Sequence, residues 1–284
     1  MAKKIQPSNL EPIGVIARRE IDELKYKQAH PELFRPIPTG LTDLDKIISG
    51  ITESTYTVVG GNAKAGKSTM LLHLGTAIAA SGRGKTLFYS LEEIRGQIGQ
   101  RSLSRLSMKT SRTMMRELTM TDTNFVDLEI HQRELEKIDL LVDDGITEAE
   151  QIINYAIQEK AKFVVCDYLQ LMTDRMGNDD GWERWDAISR KFVNARNQHK
   201  IAFIISYQIG DSGKAYGTRS IYRDADLILE VSQAKDELMQ RELQSELLIK
   251  VKPSRVCLGG KCTVYINGAY NRLSDIPTDS GMFE

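Results

Sequence analysis

Gly61-Asn62-Ala63-Lys64-Ala65-Gly66-Lys67-Ser68 reads G-x-x-x-x-G-K-[ST], the spelling of a loop that wraps the phosphates of a nucleotide. Its flanks fit that reading. Tyr56-Thr57-Val58-Val59 is predicted as a buried strand entering the loop, and Leu71, Leu72, Leu74 and Ile78 follow at helical spacing. Chemistry accounts for the spelling: glycines let backbone N–H groups curl around phosphate oxygens, and the N-terminus of the next helix adds partial positive charge. Lys67 is set to reach the β- and γ-phosphates, and the Ser68 hydroxyl to take one position on Mg²⁺. Gly61, Asn62, Ala63, Lys64, Ala65, Gly66, Lys67, Ser68 and Thr69 are therefore the candidate nucleotide-binding residues. The alternative is a glycine-rich strand-to-helix turn that binds nothing.

Further strands point polar groups the same way. Phe163-Val164-Val165-Cys166-Asp167 is an apolar run ending in a carboxylate, the form of the second Mg²⁺-organising acid in phosphate-loop enzymes, so Asp167 joins Ser68 as a metal-site candidate. A helix cap or turn former is the ordinary alternative for such an Asp. Thr86-Leu87-Phe88-Tyr89-Ser90-Leu91 carries Glu92 and Glu93 to the C-terminal sheet edge, where open α/β sheets bind ligands. One of the two is read as the carboxylate that orients the attacking water. Glu92 is favoured, because Glu93 is also explained as a helix N-terminal charge. Ile201 to Gln208 is a third such strand, with Gln208 either a γ-phosphate sensor or a loop cap.

With 284 residues, 41% hydrophobic and 27% charged, the chain has room for one large α/β core and the make-up of a soluble globular protein. Lys plus Arg number 38 against 39 for Asp plus Glu, so contact with nucleic acid has to come from locally placed basic residues. Cys166, Cys257 and Cys262 cannot build a disulfide framework, and Cys257 with Cys262 lacks the second pair that a zinc site needs. No apolar run approaches a membrane span, and the Met1-Ala2-Lys3-Lys4 start lacks a secretory signal's apolar segment. A cytoplasmic protein with no membrane contact is expected.

Residues 1–37 stand apart as a linker. Ile13, Ala17, Ile21 and Leu24 mark a short amphipathic helix ahead of Pro31, Pro36 and Pro38. Two readings stand equally: the helix packs on its own core, or it crosses to a neighbouring subunit. From residue 38 to 284, strands predicted at 56–59, 86–91, 138–142, 163–166, 201–206, 227–231 and 245–251 alternate with helices. A pair near 262–266 and 269–273 flanks Asn267-Gly268, a strong two-residue hairpin signal. The expected fold is α/β, a mostly parallel sheet flanked by helices and finished by a C-terminal β-hairpin. Ala234 to Gln244 reads as a charged, solvated helix or excursion between strands.

Thr39-Gly40-Leu41-Thr42-Asp43-Leu44-Asp45, the phosphate loop, Ser90-Leu91-Glu92-Glu93, Asp167-Tyr168-Leu169-Gln170-Leu171-Met172 and Asp224-Ala225-Asp226 together resemble the motor domain of DnaB-type hexameric replicative helicases. The resemblance covers about residues 38 to 273 and implies a RecA-like P-loop ATPase core, ATP with Mg²⁺, a hexameric ring, and single-stranded DNA in its channel. It also implies that a Lys and an Arg enter the neighbour's ATP site. Lys252-Pro253-Ser254-Arg255 is similar to that element with one extra residue between the pair, and Lys250 competes with Lys252. Primase or a helicase loader is the further partner that the family implies, although residues 1–37 leave no room for a primase-contacting N-terminal domain. The segment from Gly210 to Arg219 resembles instead the corresponding loop of RadA-type recombination ATPases, whose zinc module and protease-like domain have no counterpart in the sequence.

Two loops leave the sheet on the channel side, Thr173 to Gly181 and Ile209 to Tyr222. Lys214, Arg219 and Arg223 lie on or beside the second and are the candidate DNA-binding residues. Six copies around one strand turn modest local charge into firm phosphate binding while the monomer stays neutral. The alternative is a flexible surface loop with solvated charges.

Overall fold

The computed structural model describes residues 10–110, 114, 120–174, 181–209, 218–233 and 244–275. The chain divides into two units, Met1–Arg35 and Pro36–Glu284. In the first, α1 (Ile13–Ala29) leads into the short α2 (Pro31–Phe34), and the Tyr26 and Phe34 rings meet edge to face at 5.9 Å. No residue of α1 is buried, and Ile13 and Leu24 of the predicted stripe are 80% and 63% exposed.

The second unit opens with α3 (Thr42–Ile48), β1 (Tyr56–Gly61), α4 (Lys67–Ala80), β2 (Thr86–Ser90) and α5 (Arg95–Ser107). It continues through α6 (Asp122–Leu135), β3 (Leu140–Asp143), α7 (Ala149–Gln158), β4 (Phe163–Asp167), a 3-10 turn at Leu169–Leu171 and α8 (Gly181–His199). It closes with β5 (Ala202–Gln208), α9 (Thr218–Asp224), β6 (Leu227–Gln233), β7 (Gln244–Val251), β8 (Gly260–Asn267) and β9 (Arg272–Ser274). The strands form one sheet in the order β3-β2-β4-β5-β1-β6-β7-β8-β9; β1 to β6 pair in parallel, and β7 to β9 are added antiparallel.

The central strands are continuous apolar runs because helices cover both sheet faces. Successive residues point to opposite sides. Val59, Phe88, Val165, Ile204 and Leu229 pack with α4 on one side, while Val58, Val164, Phe203 and Ile228 pack with Ile152 of α7 and Phe192 of α8 on the other. The Phe192 and Phe203 rings lie 4.9 Å apart, centroid to centroid.

Two expected features differ. Asn267-Gly268 does not form a two-residue turn: Asn267 pairs with Arg272, so the connection is the wider Gly268–Asn271. The Asn267 side-chain oxygen accepts from the Tyr270 amide at 3.3 Å, and Asn271 takes the left-handed backbone position at φ 51°. Local side-chain bonding thus closes the turn in place of the glycine-led geometry. The second difference is α9, where a loop through Tyr222 was expected. Ile221 is fully buried against the α8 face of the sheet and anchors a helix shorter than the periodicity window. The Ala234–Gln244 excursion lies outside the described residues except at its last position.

Motifs far from the phosphate loop turn out to be structural ties. Asp45 accepts from the Thr39 amide at 2.9 Å, the Thr39 hydroxyl at 2.8 Å and the Gly40 amide at 3.2 Å. Asp226 accepts from the Tyr56 amide at 2.8 Å and pairs with Arg196, fastening the start of β1. His73 of α4 donates from Nε2 to the Thr39 carbonyl at 2.7 Å and accepts at Nδ1 from Arg105 at 3.0 Å, which fixes a neutral ring.

Burial first, and then the Arg105 guanidinium, push the His73 pKa down to about 4, against smaller opposing effects of the Thr39 carbonyl and Asp275. An unfolded chain protonates this ring near 6.5, so between 6.5 and about 4 the unfolded state binds more protons and stability falls as pH falls. Above that window the contribution is fully present. The expected loss is about 3 kcal/mol across it, at roughly 1.4 kcal/mol per pH unit. Denaturant unfolding of the wild type and His73→Gln through this window checks the value: the variant should show a visibly flatter acid slope, and identical slopes would assign the acid sensitivity to other groups.

Candidate nucleotide site

β2, β4, β5 and β1 are consecutive in the sheet, so their C-terminal ends set Glu92, Asp167, Gln208 and the phosphate loop along one edge. The register sharpens this: Ser90 lies beside Asp167, and Gly61 beside Gln208. A cleft of about 590 Å³ opens there, lined among others by Lys67, Ser68, Thr69, Glu92, Gln208 and Arg101. Such a volume suits a small-molecule ligand.

Buried β1 delivers Gly61, and the loop from Asn62 to Gly66 turns the chain into α4, whose first turn faces the cleft. Gly66 sits at φ 94°, a left-handed conformation that side chains resist. At Gly61 a Cβ would come within 2.7 Å of the Val231 carbonyl oxygen. Asn62, Ala63 and Lys64 are exposed on the loop, with Ala65 buried beneath it. Lys67 donates to the Gly61 and Asn62 carbonyls at 3.1 and 2.8 Å. Burial lowers its pKa, and the charges of Asp167 and Glu92 pull it back up. The ammonium is therefore held in the cleft by its own loop.

The two glutamates part company. Glu93 receives two Arg101 hydrogen bonds at 2.8 Å, while Glu92, which lines the cleft, lies within electrostatic reach of Lys67 and Asp167. Burial raises the Glu92 pKa, and the neighbouring charges of Asp167 and Glu93 add to it; Lys67 and Arg101 oppose. Asp167 is buried and accepts from the Ser206 hydroxyl at 2.6 Å, a bond that the β4–β5 pairing makes available. Among the described residues no three His, Cys, Asp or Glu side chains cluster as a metal cage. Ser68 and Asp167 instead offer the sparse oxygen set that suits Mg²⁺, which keeps several waters and takes phosphate oxygens.

Three residues that the sequence reading did not single out are part of this site. Arg101 on α5 bonds Glu93, the Thr69 hydroxyl at 2.9 Å and Asn271 at 3.1 Å, tying α5, α4 and the β8–β9 connection together around the cleft. No local signal marked it, since Glu93 lies in the bend before α5 while Arg101 sits in the middle of that helix. Gln170 donates to the Gln208 carbonyl at 2.8 Å and accepts from the Gln208 amide at 3.2 Å, so the backbone of Gln208 is fixed while its side chain borders the cleft. Ser206 is the third.

The remaining candidates lie elsewhere. The Lys252 amide bonds the Ile228 carbonyl at 3.0 Å, which sets it level with Val58, well back from the strand ends. Its ammonium pairs with Glu230 at 2.8 Å. Lys250 borders the outer side of the chain's own phosphate loop. Arg255 is exposed, lines none of this cleft and pairs with no carboxylate among the described residues. Of the DNA candidates, Lys214 and the side chain of Arg219 lie outside the described residues. Arg223 is on α9, pairing with Asp224 at 3.2 Å and reaching Asp186 at 4.0 Å.

Parallel strands in this order, with a phosphate loop after β1 and a carboxylate ending β4, define a RecA-like phosphate-loop core. The profile of the DnaB-like helicase C-terminal domain matches residues 36–275, and the chain belongs to that family. A probable replicative DNA helicase of Trieres chinensis is 25% identical over 73% of this chain and 49% of its own length. The replicative DNA helicase DnaB of Leifsonia xyli is 28% identical over 54% of this chain and 34% of its own. The DNA repair protein RadA of Mycobacterium tuberculosis is 26% identical over 69% and 35%. This chain thus spans half or less of these relatives' length. The solved ATPase domain of G40P superposes with a TM-score of 0.79 at 15% identity, covering 92% of this chain and 99% of that one. A DnaB-like replicative helicase, solved in work on its interactions with primase, gives 0.75 at 17% identity over 86% and 64%. No helix among the described residues is long and apolar enough to cross a membrane.

Proposed function

We propose that this chain is the ATP-hydrolysing motor of a ring-forming helicase that moves on single-stranded DNA during replication in the cytoplasm. The observation that carries the reading is the cleft itself: a phosphate loop, Glu92, Asp167 and Gln208 on four adjacent strand ends, in a DnaB-like C-terminal domain. Lys67 leaves its loop carbonyls for the β- and γ-phosphates, Glu92 orients water in line with the γ-phosphate, and Gln208 borders the same group. Ser68 and Asp167 would hold Mg²⁺, which neutralises charge on the phosphates when bound. Arg255 and Lys252 serve a neighbouring subunit's cleft in a hexameric ring, and exposed α1 packs on such a neighbour. Lys214, Arg219 and Arg223 hold DNA by its phosphates and read no bases. Primase or a loader is the partner class that this reading allows.

Strand displacement on forked duplexes with a single tail, run beside ATPase assays with and without single strands, tests the motor. Displacement with strand-stimulated turnover is expected; stimulated turnover without displacement would favour a recombination ATPase, the second reading, which rests on the RadA relatives and the Gly213–Arg219 wording. ATPase activity indifferent to DNA would overturn both. Glu92→Gln should bind ATP normally and lose most turnover, since the shape stays and the carboxylate goes. Should Glu93→Gln alone show that phenotype, the water-orienting role moves to Glu93, and its Arg101 pairing would need another explanation.

A further inference from the structure

A second cavity, of about 620 Å³, lies beside the nucleotide cleft, walled by α4, α5, β9 and the Thr39-Gly40 segment. Two guanidiniums share it, Arg105 and Arg272. Like charges brought together need a reason, because each disfavours the other; the Arg105 pKa is lowered to about 10, by burial and then by Arg272. Among the described residues neither arginine has a carboxylate within ion-pair reach. Arg105 donates only to neutral acceptors, namely His73 Nδ1 at 3.0 Å, the Thr76 hydroxyl at 3.2 Å and the Leu72 carbonyl at 3.4 Å. Arg272 touches the Met108 sulfur at 3.2 Å and is otherwise exposed.

Asp275 borders the cavity and its charge reaches His73, but it makes no ion pair with either arginine. Its two oxygens accept from the Thr42 amide at 2.7 Å and the Thr42 hydroxyl at 2.5 Å. His73, buried and neutral, holds Arg105 in place through an acceptor nitrogen and so adds no charge of its own. The cavity thus holds one partly buried guanidinium on a fixed mount and a second, exposed one close enough to act on it, with Ser274 also in the lining. Each planar guanidinium can donate two parallel N–H bonds to the oxygens of an oxyanion.

We propose that this cavity is a second anion site, separate from the phosphate loop, which takes a phosphate dianion either free or as the end group of a small phosphate ester. The two elements that build it also meet at the cleft, where Arg101 lies one helical turn before Arg105 on α5, and Asn271 directly precedes Arg272. An anion drawn between Arg105 and Arg272 would tighten the same contact that Arg101 and Asn271 make.

The test is calorimetric titration of the full chain with its phosphate loop first saturated by a non-hydrolysable ATP analogue, at constant ionic strength. Inorganic phosphate is the first probe and ribose 5-phosphate the second, which separates the free ion from the ester. Saturable binding of at least one probe is expected, weakened at least tenfold in Arg272→Gln, whose exposed position leaves the fold intact and the anion-free melting temperature unchanged. Arg105→Lys should weaken binding likewise by keeping charge but losing the fork. Affinity unchanged in Arg272→Gln, or binding of neither probe once nucleotide fills the cleft, would overturn the site. A signal displaced only by an acidic peptide would also overturn it, reassigning the fork to a protein carboxylate.

Discussion

Lys67→Ala subunits are expected to show no ATP turnover above background and a severe loss of triphosphate affinity. Two ammoniums line the cleft, Lys64 and Lys67, and only that of Lys67 is buried with its donors on the Gly61 and Asn62 carbonyls. Phosphate oxygens replace those carbonyls with charge, so removing the lysine costs the interaction that grows as charge moves on the γ-phosphate. Turnover by coupled assay and affinity by a fluorescent ATP analogue check this, with circular dichroism confirming that the variant is folded. A purified Lys67→Ala protein that hydrolyses ATP at the wild-type rate would remove the loop from the chemistry.

Arg255→Ala is expected to separate binding from hydrolysis. Its chain's own cleft contains Arg101, but that guanidinium is committed to Glu93, Thr69 and Asn271. Arg255 is free of ion pairs among the described residues and sits on the connection after β7, back from its own cleft. If it completes a neighbour's site, its loss should leave nucleotide affinity near wild type while turnover drops by a factor on the order of 10³ or more. Mixing experiments decide the geometry. Arg255→Ala and Lys67→Ala subunits, each inactive alone, should together regain part of the activity, because some interfaces then join an intact Lys67 to an intact Arg255. Demonstrated co-assembly with no recovery would place Arg255 outside any shared site.

The phosphate loop and the strand-end carboxylates were legible because each rests on local rules: a fixed spelling, an apolar run of strand length, and a polar residue where the run stops. Which strands lie side by side is not local. Gln170 is unremarkable until β4 and β5 are neighbours, and Ser206 becomes a partner of Asp167 only through the same pairing. Arg101 is hidden for a related reason, since its three partners come from three different elements. The Thr39–Asp45 and Asp226 motifs were legible as a pattern but not as a role, for their hydrogen bonds tie loops and strand starts. At Asn267-Gly268 the dipeptide rule competed with a side-chain bond to Tyr270, and the bond won.

Gln170 also has a mechanical meaning. Its amide engages both the N–H and the C=O of Gln208, as a strand residue would, so the β4–β5 ladder is prolonged by a side chain where the backbones have already diverged. Arg184 of α8 in turn grips the Gln170 carbonyl at 3.3 Å. The ends of β4 and β5 therefore share a common footing, and the Ile209 amide is itself anchored on the Gly61 carbonyl at 3.0 Å. A displacement at the end of either strand is passed through these bonds to the other and to the root of the phosphate loop, which makes the three points one coupled base.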